Sequence, residues 1–451
     1  VTARAHPSHL LEIAPLAAVV RLAAPTTLVM AVSAISNVVY TYFVSRLGVE
    51  AIGAVSLVFP VSLLAITAMG GGIGAGATSA VARALGAGRR AEAATLGGQA
   101  LVLAVLLGWG FGLGAWLGVD ALFGLMGASG AVHEGATVFA RVLFGGVFIT
   151  FFGGMLDSLM RAEGNVRVPA MWATTSLMLQ MAVTPLFMFR FGWGLVGGAL
   201  AMLTCQALAI LPRLVWVFGG RGAVIPVFRL DHVGLGPMRE IVRVGVPAAL
   251  STSINNVGLM VLTGVVAHLG AADLAAYGLG TRLDFVLMSL GYGVGAGVLT
   301  LVGLATGAER PDRVRAFVGR GVAIASVLLA VPGLLVCWRP ALWLGMFTDD
   351  PGVLAVGTLY FRTVGPSYPF LGASMVIAFA FQGLGRASLP LVVMLVRVAA
   401  VLLAAIVCTQ WLGLAEHAVF VGIAVGNVAG AVVLVALFVA TERRADAGNA
   451  R

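Results

Sequence analysis

Apolar residues in this chain come in long, nearly unbroken runs, and the polar residues between them cluster with Gly and Pro. Cutting at those clusters leaves twelve runs, near 20–45, 52–80, 93–118, 135–158, 168–189, 193–217, 243–268, 274–303, 317–338, 354–381, 388–411 and 418–440. Each is long enough to cross about 30 Å of hydrocarbon as a helix of roughly 20 residues. The alternating segments of roughly ten residues expected of a membrane barrel do not occur in the pattern. The runs therefore predict twelve transmembrane helices.

The runs also repeat. Pro25 and Gly48 recur as Pro247 and Gly270, and at almost the same offset Gly86, Arg89, Arg141, Gly164, Pro169 and Gly192 recur as Gly307, Arg310, Arg362, Gly385, Pro390 and Gly413. Glycine matches alone would be weak, but Pro and Arg matches at a nearly constant offset are hard to reach by chance. Six spans return the chain to the side where it began, so the second copy enters in the same orientation. The expectation is an all-α integral membrane protein of two six-helix lobes, parallel repeats about an axis along the membrane normal. The lobes are expected at 1–218 and 240–451, joined by a cytoplasmic linker at 219–239.

Composition agrees with this reading. Hydrophobic residues make up 60% of the chain and charged residues 10%, against roughly 25% charged in soluble domains. All 27 basic residues are Arg; with the N-terminus inside, twenty fall on the cytoplasmic side and at most five opposite. That asymmetry predicts both termini in the cytoplasm. The stretch ahead of the first span lacks the short apolar core and small-residue cleavage site of a secretory signal, so the first span should be retained. The net charge of +9 says nothing about nucleic acid. Cys205, Cys337 and Cys408 lie in apolar runs and form neither a disulfide framework nor a CxxC site, and the six histidines form no HExxH. Neither a metal site nor catalytic residues are expected. The run GGGIGAG at 70–76 has no following GK[ST] and sits inside an apolar span, so close helix packing explains it better than a phosphate loop.

The segments TYFVSRLGVEAIGAVSLVFP at 41–60, GIGAGATSAVARALGAG at 72–88 and AAYGLGTRLDFVLMSLGYGVGAGVLTLVGLATGAERPDRVRA at 275–316 resemble the multidrug and toxic compound extrusion (MATE) family. RAEGNVRVPA at 161–170 and FQGLGRASLP at 381–390 are similar to the family's paired cytoplasmic ends of the fourth and tenth spans. The resemblance runs over essentially the whole chain and implies a secondary transporter working by alternating access. Departures from the family pattern bear on mechanism. Bacterial members carry an Asp on the first span where this chain has Tyr40, and an Asn and an Asp before the fifth-span proline where it has Gln180 and Thr184. Another branch has a Glu eight residues past the seventh-span proline, where this chain has Asn255. The coupling ion is therefore not inherited with the resemblance.

Ionisable groups inside a bilayer cost roughly 2.5–3.5 kcal/mol or more at a helix centre, so each needs a reason. Asp284 is the leading coupling-ion candidate. It lies about 15 Å into the eighth span, and Tyr277, Thr281 and Met288 share its helix face. Asp157 is the second candidate, with an i, i+4 pair to Arg161 near the cytoplasmic end of the fourth span as the simpler reading. Asn37, Tyr40, Gln180, Thr184, Asn255, Tyr277, Thr281, Arg282 and Met288 are the substrate-cavity candidates. Gln206 and Asn427, which match across the repeat, read as packing glue. Arg397 reads as a structural arginine that finds carbonyls or an acid.

The expected function is export of an organic solute across a bacterial inner membrane, driven by H+ or Na+, with no other cofactor, by a monomer in the lipid bilayer. A lipid-precursor flippase and an uncoupled facilitator are the alternatives. A flippase should line its cavity with several Arg, and only Arg282 and Arg397 lie deep. With Tyr40 and Thr184 in place of acids, neutral or zwitterionic solutes should be handled at least as well as cations.

Overall fold

The computed structural model describes residues 9–126, 128–228, 235–408 and 416–449. The middle of the linker and Gly413 lie outside these residues. Among the described residues there is no strand. The helices are α1 (Pro15–Ser45), α2 (Val49–Gly86), α3 (Arg90–Leu125), α4 (Gly130–Gly145), α5 (Val147–Ala162), α6 (Arg167–Arg190), α7 (Gly194–Phe218), α8 (Leu235–Ala267), α9 (Ala271–Gly307), α10 (Pro311–Trp338), α11 (Pro351–Val364), α12 (Tyr368–Gly383), α13 (Ser388–Ile406) and α14 (Glu416–Asn449). Short helices, His9–Glu12 and Ala341–Leu344, lie between or before them.

Eleven spans among the described residues are long and apolar enough to cross a membrane, and a twelfth forms if α4 and α5 are one span bent by 43°. The expected fourth span, 135–158, is thus broken at Gly145–Gly146, where glycines weaken the helix. The expected tenth span is α11 and α12, interrupted by a 3-10 turn at Gly365–Ser367. Gly146 and Ser367 are separated by the offset of the repeat, so its two fourth helices break at matching places. The cytoplasmic ends match too. Gly164 and Gly385, a pair at the same offset, take φ of 78° and 77°, a left-handed conformation that favours glycine. Each closes its helix with the same turn, in which Asn165 N donates to Met160 O at 3.0 Å and Arg386 N to Phe381 O at 2.8 Å.

The chain forms two compact units whose division passes through helices α1 and α8. Unit one holds the segment up to Glu12 and Leu28–Ala249; unit two holds Ile13–Thr27 and everything from Leu250 onward. Inside unit one, the first half of α8 lies against α2. A Cβ on Gly72 would fall within 2.4 Å of Ala249 Cβ, and one on Gly76 within 2.3 Å of Ile241 O. Arg83 of α2 also pairs with Glu240 at 2.8 Å. Inside unit two, the first half of α1 lies against α9 in the same way. A Cβ on Gly293 would come within 2.4 Å of Thr27 Oγ1, and one on Gly297 within 3.1 Å of Leu22 Cβ. Small residues four apart let backbones approach in lipid, where apolar surface alone gives no attraction between helices. The GGGIGAG run is therefore a packing surface.

The start of the linker is docked inside unit one. Ala223 N and Val224 N each donate to a different oxygen of Glu163 at 2.9 Å, and Val227 N donates to Ala94 O at 3.1 Å. Glu163 shares a small enclosed space with Trp216, Val224 and Pro226. Burial pushes its carboxyl up to about 7, against the pull of the two backbone N–H groups.

Two outcomes follow from this packing. Gly76→Leu or Gly297→Leu forces a branched side chain into backbone, and overpacking of this kind costs about 1–3 kcal/mol. The thermal unfolding midpoint of the purified protein should fall, while Gly110→Leu, where nothing lies within 4 Å of a Cβ, should not lower it. For the linker, the folded value of about 7 lies above the ordinary 4.5 for Glu163. Its contribution to docking is then complete below about pH 4.5 and is lost as pH rises through about 7. Trypsin cleavage after the exposed Arg221 should accelerate about tenfold from pH 6 to pH 8 relative to a reference peptide, and Glu163→Gln should flatten that dependence.

Candidate functional site

The second unit contains a cavity of about 120 Å³ walled by α8, α9, α11, α12, α13 and α14. Tyr277, Thr281, Asp284 and Met288 all line it, so the shared face of α9 does meet one space. Asn255 lines it from α8. Asp284 is held by both oxygens. Tyr360 Oη donates to Oδ2 at 2.7 Å and Tyr368 Oη to Oδ1 at 2.5 Å. Both tyrosines are fully buried, and Tyr277 packs edge-on to Tyr360 with ring centroids 6.0 Å apart. Two hydroxyl donors on one carboxylate are short, charge-assisted contacts that fix its orientation against the cavity.

A group of opposite charge lines the same cavity. Arg397 of α13 donates from Nη1 to Asn427 Oδ1 at 2.9 Å and from Nη2 to Asn255 Oδ1 at 3.0 Å. Asn427 Nδ2 donates in turn to Ser367 Oγ at 3.0 Å. Arg397 thus finds carbonyl acceptors, but they are side-chain amides and not an acid.

Tyr360, Tyr368 and Ser367 were not among the sequence candidates. They flank the Gly365–Ser367 break. The signal available was a proline within a span accompanied by three hydroxyl side chains. Tyr360 and Tyr368, eight residues apart, fall within one broad face of a regular helix, but nothing in the sequence says that this face meets Asp284.

The other candidates fall elsewhere. Arg282 does not line this cavity; it is exposed, with its guanidinium 6.0 Å from the centroid of the Phe347 ring. Its two-residue offset from Asp284 turns it to another face of α9. Asp157 does not pair as expected. Its Oδ1 lies 3.1 Å from Nε of the buried Arg213 on α7, while Arg161 Nη2 donates to Ser158 Oγ at 3.1 Å. The Asp157–Arg213 contact is an ion pair without hydrogen-bond alignment. A buried acid gains more from a cation packed across from it than from one on its own helix near the surface. In unit one, Gln180 and Thr184 are buried one turn apart on α6, and Tyr40 packs over Gly198 of α7. The hydroxyls of Tyr40 and Thr184 are buried with no hydrogen-bond partner among the described residues. Asn37 is exposed. Gln206 accepts from Thr150 Oγ1 at 2.6 Å across two helices, as expected of packing glue.

Eleven or twelve apolar spans among the described residues, with a largely apolar cavity that a few polar groups enter in one unit, define a multi-pass membrane protein. Comparison with known proteins narrows this. The MatE family model matches residues 25–186 and 247–409, so it matches the chain twice, once in each copy of the repeat. The chain belongs to the MatE family, whose members are transporters and not enzymes. It is 26% identical over 382 residues to a FAD transporter of Shewanella oneidensis, covering 80% of this chain and 81% of that protein. It is 23% identical over 361 residues to the multidrug export protein MepA of Staphylococcus aureus, covering 79% of this chain and 78% of that one. The crystal structure of MATE in the bent conformation superposes with a TM-score of 0.93 at 25% identity, covering 99% of this chain and 100% of that one.

If the two tyrosines hold Asp284, their energies must couple. In a double-mutant cycle of Tyr368→Phe and Asp284→Asn read by thermal unfolding, the interaction energy should be about 1.5–3 kcal/mol, the range for hydrogen bonds to charged groups. A cycle additive to within about 0.3 kcal/mol would mean the contact carries no energy.

Proposed function

We propose that this chain exports organic solutes by alternating access across a bacterial inner membrane, in exchange for protons, with Asp284 as the group that takes up and releases the coupling proton. The observation that carries this reading is a lone carboxylate at a cavity wall, gripped by two tyrosine hydroxyls. A sodium ion would ask for several anionic or carbonyl oxygens around it. Among the described residues no group of three or more His, Cys, Asp or Glu gathers at one place, and Arg397 in the same cavity repels a metal cation. Proton coupling is therefore the better fit, and no cofactor beyond the coupling ion is required. A low-dielectric site disfavours the charged form of any carboxylate. A carboxylate that is dry in one conformation and wet in the other therefore binds its proton with different affinity in the two, and only such a difference drives a transition.

The arginine asymmetry supports both termini in the cytoplasm, and the repeat supports a monomer with its solute path inside one chain. The lining of the cavity supports an amphiphilic solute. The similarity to a FAD transporter is consistent with an aromatic solute, and that to MepA with drug export. A flippase reading is weaker, because one arginine and not several lines the cavity.

In proteoliposomes, Asp284→Asn should abolish uptake driven by a proton gradient, with solute counterflow persisting at a reduced rate. Asp157→Asn, which releases the buried Arg213 from its partner, should lower thermal stability and yield, since breaking a buried pair costs about 3–5 kcal/mol. Gradient-driven uptake that survives Asp284→Asn, and is lost in a well-folded Asp157→Asn protein, would move the coupling group into unit one.

A further inference from the structure

We propose that Arg397 is an anion-binding subsite of this cavity, and that the solutes the protein prefers carry a phosphate or carboxylate head group on a small apolar or aromatic body. The inference rests on reading the cavity as the solute site and names the class of solute it takes.

Three observations carry it. First, Arg397 starts about 14 Å into α13, nine residues past Ser388 at 1.5 Å per residue, so it cannot reach water by extending along its own helix end. Second, its charge is oriented but not neutralised. The two acceptors it uses are amide oxygens, and among the described residues no carboxylate comes within 4.0 Å of it. Asp284, the one acid lining the cavity, has both oxygens committed to Tyr360 and Tyr368. Third, α14 is pared to glycine where the arginine stem passes. A Cβ on Gly430 would lie 3.0 Å from Arg397 Cδ, and one on Gly426 3.7 Å from its Cγ. The stem is sheathed by helix backbone, and the guanidinium is delivered to the cavity.

An uncompensated charge in an apolar surround is costly, for the same reason that removing one partner of a buried pair is strongly destabilising. An arriving anion supplies the missing partner. The guanidinium has five N–H donors, of which two are used by Asn255 and Asn427. The remaining donors suit a phosphate or carboxylate, which arginine binds in a forked geometry. The rest of the lining, including Leu259, Leu262, Phe285, Val401 and Leu402, is apolar. The volume of about 120 Å³ is close to that of an engineered cavity of roughly 150 Å³ that binds benzene, so it admits a head group with a small attachment.

The anion could arrive on a free solute or as a phospholipid head group, and the test separates these. The full chain in phosphatidylcholine nanodiscs is titrated with 4-methylumbelliferyl phosphate and with the neutral 7-methoxy-4-methylcoumarin, reading fluorescence. The phosphate should bind about tenfold or more tightly, the range of a hydrogen bond to a charged group. Arg397→Gln should bring the ratio of the two affinities to near one, while Arg397→Lys should keep part of it. Asn255→Asp, which places a carboxylate on the guanidinium, should also abolish the preference and decides the matter if Arg397→Gln fails to fold. Equal affinity for both coumarins in the native protein, or a phosphate preference that survives Asn255→Asp or a folded Arg397→Gln, overturns the proposal. If phosphatidylglycerol in the nanodisc weakens phosphate binding in proportion to its content, the subsite is fed from the bilayer; if it has no effect, the anion enters on a free solute, and the subsite stands in both cases. Counterflow of the neutral coumarin in proteoliposomes tests the transport reading separately, since it needs no anion subsite.

Discussion

The fold depends on the close approach that glycine permits between helices in lipid. Water pulls apolar helix faces together in a soluble protein, but a hydrocarbon solvent does not, so packing and backbone proximity must supply the contact. Gly72 and Gly76 let α8 come down onto α2, and Gly293 and Gly297, at the same repeat positions, let α1 come down onto α9. Each unit in this way takes in the opening half of a helix whose second half belongs to the other unit. The outer surface shows the corresponding lipid solvation, with Leu113, Val327 and Leu403 each about three-fifths exposed and no polar cover. Helices assembled by small-residue contacts are held by shape, and any side chain added at those four positions meets backbone or a neighbour.

The buried charges are held differently in the two units. Unit one closes its deep charge with a partner, Asp157 against Arg213. Unit two keeps its charges unpaired with each other in one cavity, Asp284 under two hydroxyls and Arg397 under two amides. An internal ion pair between them would have cost less to bury. Holding each by neutral dipoles keeps both available to something that enters. The two acids missing at Tyr40 and Thr184 fit the same difference, since unit one then presents hydroxyls where the family pattern has carboxylates.

Most of the architecture was legible in the sequence because it rests on run length and a constant offset, which are properties of the chain and not of its packing. Asp284, Tyr277, Thr281 and Met288 were legible as one face for the same reason, since a regular helix fixes angular position from residue number. What could not be read depended on contacts between helices or on broken regularity. Asp157 had an attractive partner four residues away, and the true partner came from α7. Tyr360 and Tyr368 share a broad helix face, but that this face meets Asp284 is set by packing between helices. Arg282 looked deep by position, but burial depends on what packs over a face. Arg397 was read correctly as seeking acceptors; that these would be amides and leave its charge open was a matter of tertiary placement.

The break in the tenth span is where the two charged networks meet. Tyr368 holds Asp284, and Ser367, its neighbour in the chain, accepts from Asn427, which orients Arg397. Both residues sit at the junction of a 3-10 turn and a helix, and Gly365 and Pro366 precede them. Such a turn has poorer hydrogen-bond geometry than the helices on either side and is a common hinge. Rotation there cannot move the tyrosine hydroxyl without moving the serine hydroxyl. A proton on Asp284 weakens the two charge-assisted bonds it receives, and an anion on the free donors of Arg397 draws the guanidinium that Asn427 and Asn255 orient. One event therefore bears on Tyr368 and the other, through Asn427, on Ser367, its neighbour at the break. Coupling between sites is a free energy shared by a common two-state element, and this turn is the element in unit two that both networks touch.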